Sequence, residues 1–322
     1  MSKGHGSERA RIELLRARLE GDPAGSVLLG IGDDAAVLAP GSSSLVWTVD
    51  AAVENVHFRR DLLTFAEIGY RATMAAASDL AAMGATPLGL LSALVLPVDV
   101  DDDDLAALAD GQREAARALG TAVVGGNLTR GAELSITTTA LGSAPEPMRR
   151  GGARRGDALW LAGPLGLAAA GLALLERQDR DPAMLPALDA FRRPRARIPE
   201  GLAAAPLANA AIDVSDGLAR DLGHIARASG VRAILDPRTL VSSELVAAAT
   251  RLGRDALELA LYGGEDYALV VAAPAAAAPR GFIRIGGCEA LGEAQSEVAL
   301  VAPDGNLTPV EDRGFDHFSG ES

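Results

Sequence analysis

The sequence predicts a mixed α+β and α/β protein built from two domains. Its 322 residues exceed one ordinary compact unit and suit two domains of about 150 residues each. Short apolar runs alternate with longer helical patterns through both halves of the chain. Between Gly142 and Gly156 a segment rich in Pro, Gly and Arg has no apolar period. We therefore predict domains over residues 1–142 and 143–322.

The first half is predicted to form a sheet covered by helices. Apolar spacing predicts helices over 8–20, 65–83 and 104–119, and apolar runs predict strands over 44–49, 88–96, 121–124 and 134–141. The acidic run Asp99–Asp104 lies at the start of the third helix. Because carboxylates favour helix N-termini, we interpret this run as a cap and not as a metal site.

The second half is predicted to be α/β. It begins with a strand over 158–162 and an Ala/Leu-rich helix over 165–175. Further short strands are predicted among helices, over 211–214, 233–235, 268–271 and 282–285.

Charge and cysteine content exclude several function classes. The formal net charge of −13 repels nucleic-acid backbones and anionic membranes, so neither is an expected partner. Lys3 is the only lysine, which excludes a lysine-containing P-loop and lysine-based catalysis. The single cysteine, Cys288, excludes internal disulfides and fits a reducing compartment. Since no signal-peptide pattern or long apolar run is seen, we expect a cytoplasmic location.

Carboxylates lie beside glycines or inside apolar stretches at four places in the sequence. They are Asp33 with Asp34, Asp50, Asp79, and Asp213 with Asp216. Any one of them alone would suit a helix cap or an ion pair. Together they indicate convergence on a cleft, where hard oxygen ligands favour Mg²⁺ or Mn²⁺ over zinc. Because magnesium is usually held by a few carboxylates plus substrate phosphates, this pattern predicts phosphate chemistry.

Two glycine-rich segments favour the same chemistry. In V-V-G-G-N-L-T-R-G, residues 123–131, a predicted strand ends at a glycine pair where backbone N–H groups could approach phosphate oxygens. In Y-G-G-E-D-Y, residues 262–267, two acids are predicted to lie at the mouth of the next strand.

Seven motifs follow one another between about Gly30 and Phe318. They read G-I-G-D-D-A-A-V-L, V-D-A-A-V-E-N-V-H-F, S-D-L-A-A-M-G-A-T-P, V-V-G-G-N-L-T-R-G, I-D-V-S-D-G-L, G-G-E-D-Y and G-F-D-H-F. In this order they resemble the thiamine-monophosphate kinase family, within the aminoimidazole ribonucleotide synthetase-like superfamily. The resemblance implies that superfamily's two-domain fold and a homodimer formed through the N-terminal sheets. It also implies direct in-line transfer of the γ-phosphoryl group of ATP to thiamine monophosphate, with several Mg²⁺ ions per site.

The resemblance implies roles for particular residues. The magnesium ligands would be Asp34, Thr48, Asp50, Asp79, Asp213 and Asp216. The ATP phosphates would lie along Gly126, Asn127, Arg150 and Ser215. Thiamine monophosphate would contact His57, Glu265 and Phe315, with Phe315 as an aromatic platform and Glu265 as a carboxylate partner for the cationic rings. Catalysis would depend on Asp50, Asp79, Asp213 and Arg150.

Some positions depart from the family pattern and leave alternatives open. The family commonly has Asp where this chain has Asn127, and Thr where it has Val49 and Ala51. The Asn127 oxygen can still coordinate magnesium but carries no charge, so we expect weaker metal affinity with activity retained. A non-catalytic binder of nucleotide or thiamine phosphate is the alternative function. His57 could be an ordinary surface histidine, and Phe315 could simply hold the C-terminal tail to the core.

Sister families of the superfamily are the nearest alternatives. A selenophosphate-forming relative would need a reactive cysteine near the N-terminus, and a hydrogenase-maturation relative would end in a catalytic cysteine. Neither cysteine is present in this sequence.

Overall fold

The computed structural model describes residues 27–29, 36–38, 44–292 and 296–314. Within these ranges the chain forms two sheets, each with helices packed against it. The predicted class, a mixed-sheet N-terminal half followed by an α/β half, is confirmed. The helix predicted over 8–20 lies outside the described residues. In the described part of the chain no helix is both long and apolar enough to cross a membrane.

The N-terminal sheet has the strand order β1-β2-β3-β6-β4-β5. Its strands are β1 (Val27–Leu29), β2 (Ala36–Leu38), β3 (Ser44–Val53), β4 (Thr86–Leu96), β5 (Val123–Arg130) and β6 (Ser135–Ala144). The β4–β5 pair is parallel and the other pairs are antiparallel, so the sheet is mixed.

Strand β3 is longer than its sequence predicts. The prediction ended it at Val49, but β3 pairs with β6 from Ser44 through Val53. Cross-strand pairing therefore overrides the loss of apolar character after Val49. As a result, Asp50 lies inside the strand and not at its end.

Strand β5 also continues past its predicted end. The glycine pair was expected to end it, yet the strand runs on to Arg130. Gly126 pairs with Ser92 of β4, and a Cβ on Gly126 would lie 1.7 Å from the Ser92 carbonyl oxygen. The glycine therefore permits a close approach of two strand backbones.

In the described part of the N-terminal half two helices cover the sheet, α1 (Phe65–Ala82) and α2 (Asp102–Ala118). Helix α1 begins after Thr64, whose side chain forms a capping box with Glu67. Helix α2 begins after Asp101, whose carboxylate accepts hydrogen bonds from the backbone N–H groups of residues 103 and 104. The interpretation of the acidic run as a helix cap is confirmed.

The C-terminal sheet has the strand order β13-β12-β9-β11-β7-β10-β8. Its strands are β7 (Asp157–Ala162), β8 (Ala210–Val214), β9 (Val231–Leu235), β10 (Ala268–Pro274), β11 (Ile283–Ala290), β12 (Val298–Val301) and β13 (Leu307–Pro309). The surrounding helices are α3 (Leu167–Glu176), α4 (Leu185–Arg192), α5 (Ile198–Ala204), α6 (Leu218–Ser229), α7 (Ser243–Leu252) and α8 (Ala256–Tyr262). Short 3₁₀ turns lie at Pro182–Met184 and Pro237–Thr239.

The two halves pack against each other through buried apolar side chains. One cluster contains Ile68 of α1 and Leu134 from the first half together with Leu174 of α3 and Phe191 of α4 from the second. Burial of this shared surface fixes the first half against the second. The functional cavity described below lies at this junction.

Candidate active site

A cavity of about 680 Å³ lies between the two halves of the chain. From the N-terminal half it is lined by residues of β3 and α1 and by Val56 and His57. From the C-terminal half it is lined by residues of β8, the loop after β8, α3, α4, α8 and the segment 263–267. The site therefore depends on the docking of both halves.

Four of the predicted acids line this cavity. They are Asp50 on β3, Asp79 on α1, Asp213 on β8 and Asp216 in the loop between β8 and α6. We call them the four cavity carboxylates. Arg150, on the connection between β6 and β7, lines the same cavity and supplies positive charge, and Ser215 is also part of the lining. The convergence predicted from the sequence is thus present for these acids.

A hydrogen bond orients one cavity carboxylate. The Thr48 hydroxyl donates to Asp79 Oδ2 at 2.5 Å, which connects β3 to α1. The Asp50 carboxylate accepts from the backbone N–H of Ala51 at 2.8 Å. Strand β3 therefore orients both acids, Asp50 within the strand itself and Asp79 on the neighbouring helix.

A fifth acid, Asp221, binds the backbone of the loop between β8 and α6. Its Oδ2 accepts hydrogen bonds of 3.0 Å from the backbone N–H groups of Ser215 and Asp216. Burial, and then the nearby charges of Asp216 and Asp213, hold the pKa of Asp221 well above its usual range. Sequence reasoning missed this residue. Its signal was a carboxylate spaced with Leu218, Leu222 and Ile225, which form the buried face of α6.

Another part of the lining is apolar and aromatic. It consists of Ala168, Ala169 and Leu172 of α3, Phe191 of α4 and Tyr262 of α8. The acids Glu258 and Glu265 lie along it, and the Arg313 guanidinium stacks over the Tyr262 ring at 4.3 Å. Aromatic faces flanked by carboxylates are suited to a flat organic cation.

The two acids of the segment G-G-E-D-Y have different surroundings. Glu265 lines the cavity, whereas Asp266 is buried and accepts hydrogen bonds from the backbone N–H groups of Gly166 (2.5 Å) and Ala168 (3.1 Å) at the start of α3. Burial raises the pKa of Asp266 to about 7. The prediction that both acids lie at the strand mouth is therefore wrong for Asp266, which holds the helix that carries the apolar lining.

His57 lines the cavity, and its Nδ1 accepts a hydrogen bond of 3.1 Å from the backbone N–H of Val53. With Nδ1 acting as acceptor, a neutral ring carries its proton on Nε2. This hydrogen bond therefore fixes the orientation of the ring at the cavity wall.

Models of two protein families match the chain. The one described as "AIR synthase related protein, N-terminal domain" matches residues 32–144, and the one described as "AIR synthase related protein, C-terminal domain" matches residues 154–302. Thiamine-monophosphate kinase of Escherichia coli (strain K12) is 36% identical over 308 residues, which cover 91% of this chain and 93% of that protein. The chain belongs to the thiamine-monophosphate kinase family.

Two further similarities agree with this membership. The thiamine-monophosphate kinase of Mycobacterium tuberculosis (strain ATCC 25618 / H37Rv) is 40% identical over 255 residues, which cover 76% of this chain and 74% of that protein. A solved structure described as "AaThiL complexed with AMPPCP and TMP" has a TM-score of 0.87 at 32% identity and covers 97% of both chains. The family and the fold that the motifs implied are thereby confirmed.

The structure does not bring every residue implied by the family motifs to the cavity. Gly126 and Asn127 lie on β5, the edge strand of the N-terminal sheet, and are absent from the described residues that line the cavity. Asp34 and Phe315 lie outside the described residues. The roles predicted for these four residues, like those predicted for the residues that line the cavity, stay predictions.

The donor chemistry of the cavity fits the magnesium that family members are expected to use. Within the described ranges, no group of three or more Asp, Glu, His or Cys side chains is placed to hold an ion by itself. The four cavity carboxylates nevertheless offer hard oxygen atoms, and burial, together with the nearby charges of Asp216 and Asp213, raises the pKa of the neighbouring Asp221. Because Mg²⁺ usually takes only a few protein carboxylates and completes its shell with water and phosphate oxygens, this arrangement suits an ion that binds together with a nucleotide.

Proposed function

We propose that this chain transfers the γ-phosphoryl group of ATP to thiamine monophosphate and forms thiamine diphosphate, by direct in-line attack. The observation that carries the proposal is the composition of one cavity. Its lining combines the four cavity carboxylates and Arg150 with an apolar, aromatic surface flanked by Glu258 and Glu265. The first set suits phosphates with their metal ions, and the second suits the cationic rings of thiamine.

In this proposal Asp50, Asp79, Asp213 and Asp216 hold magnesium, with Asp34 and Thr48 as further ligands on the strength of the family motifs. When bound, several Mg²⁺ ions neutralise the repulsion between donor and acceptor phosphates and align them for transfer. The carboxylates come from both halves of the chain, so closure of the two halves sets their spacing.

Arg150 and Ser215 are proposed to bind the phosphates of ATP, together with Gly126 and Asn127. Arg150 offers a planar guanidinium that can pair with two phosphate oxygens. The acceptor needs no general base, because the second pKa of a phosphate monoester is about 6 and its oxygen is ionised at neutral pH. The lack of a catalytic lysine is therefore no obstacle to this reaction.

The thiamine moiety is proposed to lie along the apolar lining. Glu265 is the carboxylate partner of its cationic rings, His57 contacts the substrate, and Phe315 supplies an aromatic platform. Tyr262 and Phe191 add aromatic surface in the described part of the lining.

We also propose a homodimer formed through the N-terminal sheets, residues 1–142. The support is an exposed apolar face on β3 and β4. Trp47, Val49 and Leu91 are 48%, 62% and 43% exposed. Val49 and Leu91 lie in one cross-strand row through Thr139 of β6. In this proposal residues 143–322 complete the active site. A cytoplasmic location and the absence of nucleic-acid and membrane partners stay predictions from composition.

The proposed function is tested by incubating the protein with ATP, Mg²⁺ and thiamine monophosphate and separating the products by chromatography. We expect equal amounts of ADP and thiamine diphosphate. If both ligands bind but neither product forms, the chain is the non-catalytic binder that the Asn127 and Val49 departures would suit. Thiamine should fail as an acceptor, because it lacks the phosphate that the metal ions would align.

A further inference from the structure

Arg71 is a buried cation of α1 that contacts the other half of the chain. The residue is 4% exposed. Its guanidinium carbon lies 4.0 Å from the centre of the Phe191 ring, and its Nη1 donates a hydrogen bond to the Phe191 carbonyl oxygen. Its Nη2 forms an ion pair with Glu265. A helix of the N-terminal half therefore contacts both α4 and the segment G-G-E-D-Y.

The segment that Arg71 contacts has an unfavourable backbone. Glu265 and Tyr267 have φ angles of 65° and 47°, in the left-handed region that residues with a Cβ rarely adopt. Their backbone N–H groups donate to the carbonyl oxygens of Ser215 (2.7 Å) and Val214 (2.9 Å). Arg71 also hydrogen-bonds to the Tyr267 side chain. The Arg71 guanidinium thus contacts the side chains of Glu265 and Tyr267, the two residues of this segment with a left-handed backbone.

The chemistry of arginine suits this position. Its planar group can stack on Phe191 and still direct N–H groups at two acceptors, which a lysine ammonium on a flexible chain cannot do. A buried positive charge is costly without a partner, and the ion pair with Glu265 and the nearby Asp50 carboxylate both favour the charged form of Arg71. The same pair fixes where the Glu265 carboxylate lies in the cavity.

We propose that Arg71 is a positioning residue that holds Glu265 against the cationic rings of the substrate, so that thiamine recognition is completed only when α1 is docked on the C-terminal half. The inference rests on the proposed function, because it takes Glu265 as a substrate contact. Arg71 itself is absent from the described residues that line the main cavity and acts through Glu265.

The test compares Arg71→Met and Arg71→Lys with a matched control, Arg192→Met. Arg192 also connects α4 to α1, through an ion pair of 3.7 Å with Glu67, but it is not among the described residues that line the cavity. For each protein the KM values for thiamine monophosphate and for ATP are measured, together with the melting temperature. Glu265→Gln and the double variant Arg71→Met with Glu265→Gln complete the set.

We expect Arg71→Met to raise the KM for thiamine monophosphate about tenfold, the effect of one misplaced charge-assisted contact, and to change the KM for ATP by less than about twofold. The double variant should show no further rise beyond Glu265→Gln, and Arg192→Met should leave both KM values unchanged. If Arg71→Met does not fold, Arg71→Lys should still show a selective rise of about threefold.

The role of Arg71 would be overturned if Arg71→Met raised both KM values equally or left the KM for thiamine monophosphate unchanged. It would also be overturned if the KM rise in the double variant were the product of the rises in the two single variants. Failure of the proposed function looks different, because the unmodified protein would then form no thiamine diphosphate at all.

Discussion

The hydroxyl of Thr48 donates a 2.5 Å hydrogen bond to Oδ2 of Asp79, 31 residues along the chain. This contact connects β3 to α1 and orients one of the four cavity carboxylates. A hydroxyl that donates its proton keeps lone pairs on its oxygen, so the bond is compatible with the predicted place of Thr48 beside a magnesium ion.

Loss of this hydroxyl should weaken magnesium binding. In Thr48→Val we expect the Mg²⁺ concentration for half-maximal rate to rise about three- to tenfold, because Asp79 loses a hydrogen bond that fixes its carboxylate. Thr48→Ser keeps the hydroxyl and should stay within about twofold of the unmodified protein. A Thr48→Val protein with an unchanged magnesium requirement would show that the bond does not orient a metal ligand.

Asp50→Asn should lower turnover by about a hundredfold or more while the melting temperature stays nearly unchanged, because the charge of a proposed metal ligand is removed without loss of volume. The matched control is Asp99→Asn, an exposed acid that pairs with Arg60 at 2.9 Å and lies outside the described cavity lining. The control should keep full turnover. Near-normal turnover of Asp50→Asn would remove Asp50 from the proposed metal site.

Asn127→Asp should lower the magnesium concentration needed for half-maximal rate, since it restores the charge that family members commonly carry there. We expect a change of about two- to fivefold, of the size that one added exposed charge provides. The structure makes this a sharp test, because Asn127 lies on the edge strand β5 and not among the described cavity residues. An unchanged or higher requirement would show that Asn127 is distant from the metal ions.

His224 should make the protein sensitive to acid. Burial and the charges of Arg150, Arg227 and Arg220 lower the pKa of His224 to about 3. In the unfolded chain His224 takes up a proton near pH 6.5, whereas in the folded protein it stays neutral down to about pH 3. The free energy of unfolding therefore has its full value above pH 6.5 and decreases as the pH falls from 6.5 towards 3. At pH 5 the loss should be about 1–2 kcal/mol in the free energy of unfolding.

Denaturant unfolding at pH 7 and pH 5 measures this effect. His224→Gln, which does not titrate, should lose less stability between the two pH values than the unmodified protein does. Equal losses would show that other groups cause the acid sensitivity.

The exposed face of the N-terminal sheet should be covered in solution. Sedimentation should give twice the 32.9 kDa mass of one chain, and Trp47→Glu should shift the equilibrium to monomer because it places a charge on the apolar face. Val98→Glu alters a valine that is 81% exposed, in the turn after β4, and serves as the control that should stay dimeric. A monomeric unmodified protein would contradict the proposed dimer.

Much of the fold could be predicted because local signals agree with tertiary pairing. The Ala-rich pattern around Asp79 and the apolar run that contains Asp213 both predict elements that the structure contains. The strand ends were less predictable. β3 extends past Val49 because of its pairing with β6, and β5 passes through its glycine pair because of the close backbone of Ser92. Such partners are distant in sequence, so no local pattern reveals them.

The same reason limits prediction of the site. The four cavity carboxylates stood out because they interrupt apolar stretches or adjoin glycines. Arg71 did not, since its hydrogen-bond partner Phe191 lies 120 residues away. Nor could the sequence show that Glu265 lines the cavity while Asp266 binds the start of α3, because this difference follows from the left-handed backbone at Glu265.

Direct phosphoryl transfer in this cavity is tested most closely by a single-turnover experiment with excess protein, Mg²⁺, thiamine monophosphate and ATP labelled with ³²P in the γ position. Quenched samples are separated into nucleotide, thiamine diphosphate, free phosphate and protein. The account predicts that the label passes from ATP to the terminal phosphate of thiamine diphosphate, with no labelled protein at earlier times. Label released only as free phosphate, or label on the protein before thiamine diphosphate forms, would contradict it.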